Sequence, residues 1–193
     1  MVERRNQGQR RLETRAALVS AARGLFAGQG YAATGTPEIV AAAGVTRGAL
    51  YHHFADKAEL FATVVEEEHM LLAMALNRGA EGDDEPGPVK ALVGIGEAFV
   101  EAMQEAGRRQ ILLIDAPTVL GRTALDAIGE RHGLKLVRDA VIAAIEAKAI
   151  RDLPVGALTS LLVAQFERAA LAPPEESADY RKTSKALIRG LKT

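Results

Sequence analysis

The 193-residue sequence contains no cysteine, which excludes disulfides, thiol redox sensing and thiolate zinc sites. Aromatic residues make up only 4% of it and β-branched runs are few, so the chain has little of what builds sheets. No apolar run approaches the roughly 18 residues of a membrane span. The start, Met-Val-Glu-Arg-Arg-Asn-Gln-Gly-Gln-Arg-Arg, lacks the apolar stretch of a secretory signal. A soluble, cytoplasmic protein is expected. What the chain does have is a hydrophobic fraction of 48%, much of it Ala and Leu, which favour helices. Its length suffices for one large or two small cores.

A net charge of −1 marks no partner, but its distribution is uneven. Residues 1–57 carry eight basic side chains (Arg4, Arg5, Arg10, Arg11, Arg15, Arg23, Arg47, Lys57) against four acidic ones (Glu3, Glu13, Glu38, Asp56). The remainder has 16 basic and 21 acidic residues. A basic end suited to a polyanion is therefore joined to an acidic body with another task.

The basic residues 1–11 are expected to stay unordered until an anion binds them. Leu18, Ala21, Ala22 and Leu25 then recur at helical spacing from about Thr14 to Ala27. A short helix follows at Thr36–Ala43, with Gly35 at its start, Pro37 in its first turn and Gly44 ending it. Thr46 caps a third helix running to about His53. Asp56-Lys57-Ala58-Glu59 reads as a capping box opening a long helix to about Arg78. Ala80–Pro88, acidic and rich in Gly and Pro, reads as a surface loop and hinge. Further helices are expected at about Val89–Ala106, before Pro117, which should break the helix there, and at Arg122–Ala149, Val155–Leu171 and Ala178–Leu191. The fold class is all-α with about nine helices. Residues 1–57 form an N-terminal arm and a three-helix domain. Residues 58–193 form a helical body, of which 58–79 is the connecting helix.

Two short helices separated by Gly44-Val45 have the dimensions of a helix-turn-helix. With Leu50 placed at zero on the third helix and about 100° per residue, Phe54 falls beside it and both become anchors. The opposite face holds Gly48, Tyr51, His52 and Ala49, with Arg47 and His53 on its flanks. A helix face with so little aliphatic bulk can enter the major groove of DNA.

The pattern Tyr31-x-x-Thr34-x(4)-Ile39-x(3)-Ala43-Gly44-Val45-Thr46-Arg47-Gly48-Ala49-Leu50-Tyr51-His52-His53-Phe54-x-x-Lys57-x-x-Leu60 resembles the DNA-binding domain of TetR-family transcriptional regulators, over roughly residues 14–65. The resemblance implies that Thr46, Tyr51 and Lys57 hold phosphates, that His53 lies near the backbone, and that Arg47, Gly48, Ala49 and His52 face bases. Hydroxyls and Lys suit phosphate oxygens, and a bidentate Arg suits guanine. Two positions depart from the pattern: Gly35 stands where Ser or Thr is usual, and Ala49 replaces a frequent Thr. Tyr51 packing over the turn, His53 merely favouring the end of a helix dipole, and a solvated Lys57 are the competing structural readings.

The resemblance also implies a homodimer on a palindromic double-stranded operator, acting as a repressor that a small-molecule effector releases. Leu158, Leu161, Leu162, Gln165, Phe166, Leu187 and Leu191 are the candidate dimer residues. Met70, Met74, Phe99, Met103, Ile114, Leu120, Leu125, Ile128 and Phe166 are candidate walls of a ligand pocket, with Gln110, Asp115 and His132 as its polar groups. The stretch Asp115–Gly121 resembles one in some regulators of this kind.

An enzyme is not expected. Ser20, Ser160, Ser177 and Ser184 lack a Gly-x-Ser-x-Gly setting, and no phosphate-cradling Gly loop occurs. No catalytic residue and no cofactor is assigned. The run Glu66-Glu67-Glu68-His69 and the pair His52-His53 point in diverging directions on a helix, so they read as solvated faces rather than metal sites. The alternative to a sequence reader is a nucleoid-type protein that binds DNA without preference.

Overall fold

A computed structural model describes the backbone of residues 2–81 and 87–193, and the side chains of 7–80 and 87–193. Among these residues the chain is helical throughout: α1 (Val2–Ala33), α2 (Thr36–Ala43), α3 (Arg47–His53), α4 (Lys57–Glu81) and α5 (Pro88–Ala102) are followed by a π-helix (Gln110–Asp115), α6 (Ala116–Leu120), α7 (Arg122–Arg131), α8 (Gly133–Glu146), α9 (Val155–Ala170) and α10 (Ser177–Arg189). The sole β-like pairing among them is a single bridge between Ile150 and Lys192. No described helix is long and apolar enough to cross a membrane.

The all-α class holds, and three local expectations are corrected. The first helix begins at Val2 rather than near Thr14, so residues 2–11 are wound, not unordered; Arg, Gln and Glu are good helix formers and extend a helix already anchored by its later turns. The expected single helix Arg122–Ala149 is two, because His132 adopts non-helical angles (φ −128°, ψ −104°) and Gly133 starts again. Pro117 ends nothing. It sits in the first turn of α6, directly after the π-helix, where its missing N–H is tolerated. Of the expected loop Ala80–Pro88, residues 82–86 lie outside those described, and Ala80 belongs to α4.

One apolar core runs through the molecule. At the N-terminal end Leu18, Ala22 and Phe26 of α1 meet Ile39, Leu50, Phe54, Leu60 and Phe61. Phe26 packs edge-on against Phe61 with centroids 5.1 Å apart, a geometry that favours aromatic pairs. In the body, α4 and α5 cross where Gly79 meets Gly94: a Cβ on Gly79 would lie 2.7 Å from the Gly94 carbonyl oxygen. Lack of side chains is what lets these two long helices pack backbone to backbone, and α8, α9 and α10 close over α5.

Candidate nucleic-acid interface and enclosed cavity

Gly44 ends α2 in the left-handed region (φ 67°), which a residue with Cβ reaches only at a cost. Its N–H donates to Ala41 and that of Val45 to Val40, closing the turn. Glu38 reaches back to the Gly35 N–H at 2.8 Å, so half a capping box survives although glycine has no side chain for the other half. Thr46 caps α3, its Oγ1 accepting from the Ala49 N–H at 3.2 Å. The hydroxyl proton is left for an outside acceptor.

Leu50 and Phe54 are buried and fix α3 against the core. Thr46, Arg47, Gly48, Tyr51 and His52 are exposed, and Ala49 and His53 half-buried. Arg47 lies over the Tyr51 ring, 5.5 Å from its centroid, so the two form one projecting surface. Burial pushes the His53 pKa below its ordinary value, and the nearby charges of His52, Arg11 and Arg15 lower it further. Both effects oppose a dipole-stabilised cation at His53, and the guanidinium groups of Arg11 and Arg15 beside it make a surface that attracts anions.

Lys57 is placed differently from the expectation. Its Nζ donates to the carbonyls of Tyr31 and Thr34, both at 2.9 Å, and sits 3.9 Å from the centre of the Tyr31 ring. With these contacts it closes the end of α1. Replacing Lys57 with Met is expected to cost about 1–3 kcal/mol of stability, as for hydrogen bonds from a charged donor, while leaving the salt dependence of DNA binding unchanged. A salt slope lower by about one would instead put the ammonium on phosphate. Spacing could not reveal this role, because the partners are far away in sequence.

The charged run on α4 does diverge: Glu67 is exposed, while its neighbours find partners within the protein. Glu66 accepts from Arg131 at 2.9 Å and faces His132 at 3.3 Å; both lower its pKa, Arg131 foremost. Glu68 is buried between Arg23 and Arg108. His69 turns into a cavity of about 50 Å³ among α4, α5, α7, α8 and α9.

Of the candidate pocket residues, Phe99, Met103 and Leu125 line that cavity. Met70, Met74 and Ile114 are exposed because they fall on the outer faces of their helices. Ile128 and Phe166 are buried in the core without lining it, and Leu120 packs against the core elsewhere. His132 is held by Glu66. Gln110 and Asp115 have a different task. The kink at Gly30 (φ 79°) takes the Tyr31 N–H out of the helical ladder, and a buried backbone donor needs an acceptor. Asp115 Oδ2 accepts it at 2.8 Å, while Gln110 steadies Oδ1 at 3.1 Å. The sequence reading missed His69, Arg122, Asp126 and Glu167, which face the cavity. The signal for His69 was present: Val65, His69, Leu72 and Leu76 recur at helical spacing, a stripe hidden by its acidic neighbours.

Among the candidate dimer residues, Leu158, Leu162 and Phe166 point into the subunit's own core, and Leu191 and Gln165 are half-buried. Leu161 (69% exposed) and Leu187 (58%) face outward. With Ala157, Ala164 and Arg168, Leu161 forms a stripe along α9 whose small residues would let another helix approach.

An outward, low-bulk helix pinned by two buried anchors, set on a helical body, defines a helix-turn-helix protein. Two family models agree: bacterial regulatory proteins of the tetR family match residues 18–64, and a tetracyclin repressor-like C-terminal domain matches residues 89–193. The crystal structure of a TetR-family transcriptional regulator from Pectobacterium atrosepticum is 31% identical, covering 96% of this chain and 97% of that one, with a TM-score of 0.76. The HTH-type transcriptional regulator TtgR of Pseudomonas putida is 38% identical over 103 residues, which are 51% of this chain and 47% of that relative; the match thus spans about half of TtgR's length. The Transposon Tn10 TetC protein of Escherichia coli is 26% identical over 192 residues, covering 98% of this chain and 96% of its own. The chain belongs to the TetR family, a family of transcriptional regulators and not of enzymes.

Proposed function

We propose that this protein is a homodimeric, sequence-specific repressor that leaves its palindromic operator when a small molecule enters the helical body. The observation that carries the reading is the exposure of Arg47, Gly48, Tyr51 and His52 on a helix anchored by buried Leu50 and Phe54. On this reading Arg47, Gly48, Ala49 and His52 meet base edges, and Thr46, Tyr51 and His53 meet the backbone. Lys57 supports the assembly from behind. A single short helix reads only a few base pairs, so a second copy docked along α9 and α10 is required, with the two reading helices about 34–36 Å apart.

The route from body to reading head runs through two links. Leu112 and Leu113 of the π-helix line the cavity, and Asp115 at the end of that segment holds the Tyr31 N–H of α1. Glu68, beside His69 on α4, joins Arg23 of α1 to Arg108 of the loop before the π-helix. A molecule that widens the cavity shifts these supports and with them the separation of the heads. By linkage it binds the operator complex less tightly than the free dimer.

Arg47→Ala is the direct test. It should weaken the specific site by about 1–3 kcal/mol and relax preference at one base pair, with little effect on random duplex at the same salt. Equal losses on both would show that Arg47 holds phosphate and would favour a binder without sequence preference.

A further inference from the structure

The cavity restricts its occupant more narrowly than the effector reading, on which this inference rests. Its walls are apolar side chains, among them Leu72, Leu76, Phe99, Met103 and Val137. Into them projects His69, whose Nδ1 and Nε2 are both shielded from solvent and both without a hydrogen-bond partner. Leaving buried polar atoms unpaired costs about 1–3 kcal/mol each, and a leucine in the same place would avoid that. Burial, aided by the nearby His132, lowers the His69 pKa to about 4 against the opposing pull of Glu66 and Glu68. The ring is therefore neutral at physiological pH, with one nitrogen donating and the other accepting.

The remaining polar groups of the lining are Arg122, Asp126 and Glu167. Glu167 is raised in pKa, chiefly by burial, and Arg122 is already paired with Asp126 at 3.1 Å. An anion would meet the carboxyls of Asp126 and Glu167 and would have to shed its water for mainly apolar walls. A pure hydrocarbon would leave His69 unsatisfied, and a cation, although its N–H could reach the accepting ring nitrogen, would have to shed its water for mainly apolar walls. We infer that the cavity takes a small, uncharged, mainly apolar molecule carrying a hydroxyl, an alcohol or a phenol, whose oxygen hydrogen-bonds the neutral His69 ring.

Size supports a one-ring compound admitted by a side-chain gate. A benzene-sized ligand occupies a cavity of roughly 150 Å³, more than the 50 Å³ of this one. An adjoining recess of about 160 Å³ shares Arg122, Asp126, Leu134 and Val163 with it. The Arg122–Asp126 pair stands between them, with its side chains 62% and 52% exposed. Such solvated pairs hold little free energy, so parting this one is an easy way to join the two spaces.

The test is calorimetric titration of the full-length protein with four one-ring probes: phenol, toluene, benzoate and benzylamine. Phenol should bind about tenfold more tightly than toluene, the worth of one buried hydrogen bond, with benzoate and benzylamine weaker still. His69→Leu should erase the preference for phenol over toluene, and His69→Gln, which keeps a hydrogen-bonding group, should retain most of it. Toluene equal to phenol, a charged probe binding tightest, no probe binding, or a phenol preference that survives His69→Leu would each overturn the assignment. The wild-type comparison decides even if a variant fails to fold. Adding phenol to the complex with DNA flanking the protein's own gene separates the two readings. Binding governed by His69 without release of DNA upholds the ligand class and removes the effector role.

Discussion

Glu68→Ala is expected to destabilise the protein by about 3–5 kcal/mol, the range for breaking a buried ion pair from one side. Glu68 is only 2% exposed, and its two oxygens accept from Arg23 at 2.8 Å and from Arg108 at 2.6 Å. Arg23 is partly solvated and can return to water. Arg108 cannot: it is buried, with its Nη1 on the Ala102 carbonyl at 2.9 Å, so the alanine variant strands a guanidinium in the core. The pair itself need not be strongly stabilising, since desolvating three charged groups offsets much of their attraction. Urea denaturation of Glu68→Ala beside the double variant Glu68→Ala/Arg108→Met separates the two effects. The double variant should recover much of the loss, and a single-variant loss under about 1 kcal/mol would mean that water reaches Arg108.

Gly107→Ala should be nearly as damaging, with a loss of roughly 2–5 kcal/mol, built from backbone strain and overpacking. Gly107 has φ 79°, and a Cβ there would overlap the Ala27 side chain and lie 2.5 Å from Ala27 Cα. The obstacle is backbone, so no rotamer change relieves it. Because this contact seats α1 against the loop leading to the π-helix, whatever folded protein remains should also bind its operator less well. Gly156→Ala is the matched control: it lies in the first turn of α9 with open space around it, where alanine should be neutral or slightly stabilising. Thermal denaturation of both variants checks the contrast, and equal melting temperatures would dismiss the Gly107–Ala27 contact.

The reading head was legible in the sequence because its determinants are local. Gly44, Thr46, Leu50 and Phe54 lie within one continuous run, and turn, cap and anchors follow from helical period and backbone sterics alone. The contacts of Lys57 were hidden for the opposite reason: its partners, the Tyr31 and Thr34 carbonyls, are separated from it by the whole of α2 and α3. The cavity was only partly visible. Phe99, Met103 and Leu125 could be chosen as large apolar residues, but whether Met70 or His69 faces inward depends on where α5 and α8 lie against α4. On α9 apolar residues occur on more than one face, so period could not tell Leu161, which looks outward, from Leu158, Leu162 and Phe166, which fill the subunit.

From its sequence alone this chain had settled its helical class, its helix-turn-helix and the outward residues of α3, since these depend on torsional preference and hydrophobic period within a few turns. Only the tertiary structure decided that Lys57 closes α1, that Asp115 receives the Tyr31 N–H, and that His69 enters a cavity without a partner. Those outcomes depend on which distant surfaces meet, and a burial pattern along one helix does not specify what will cover it.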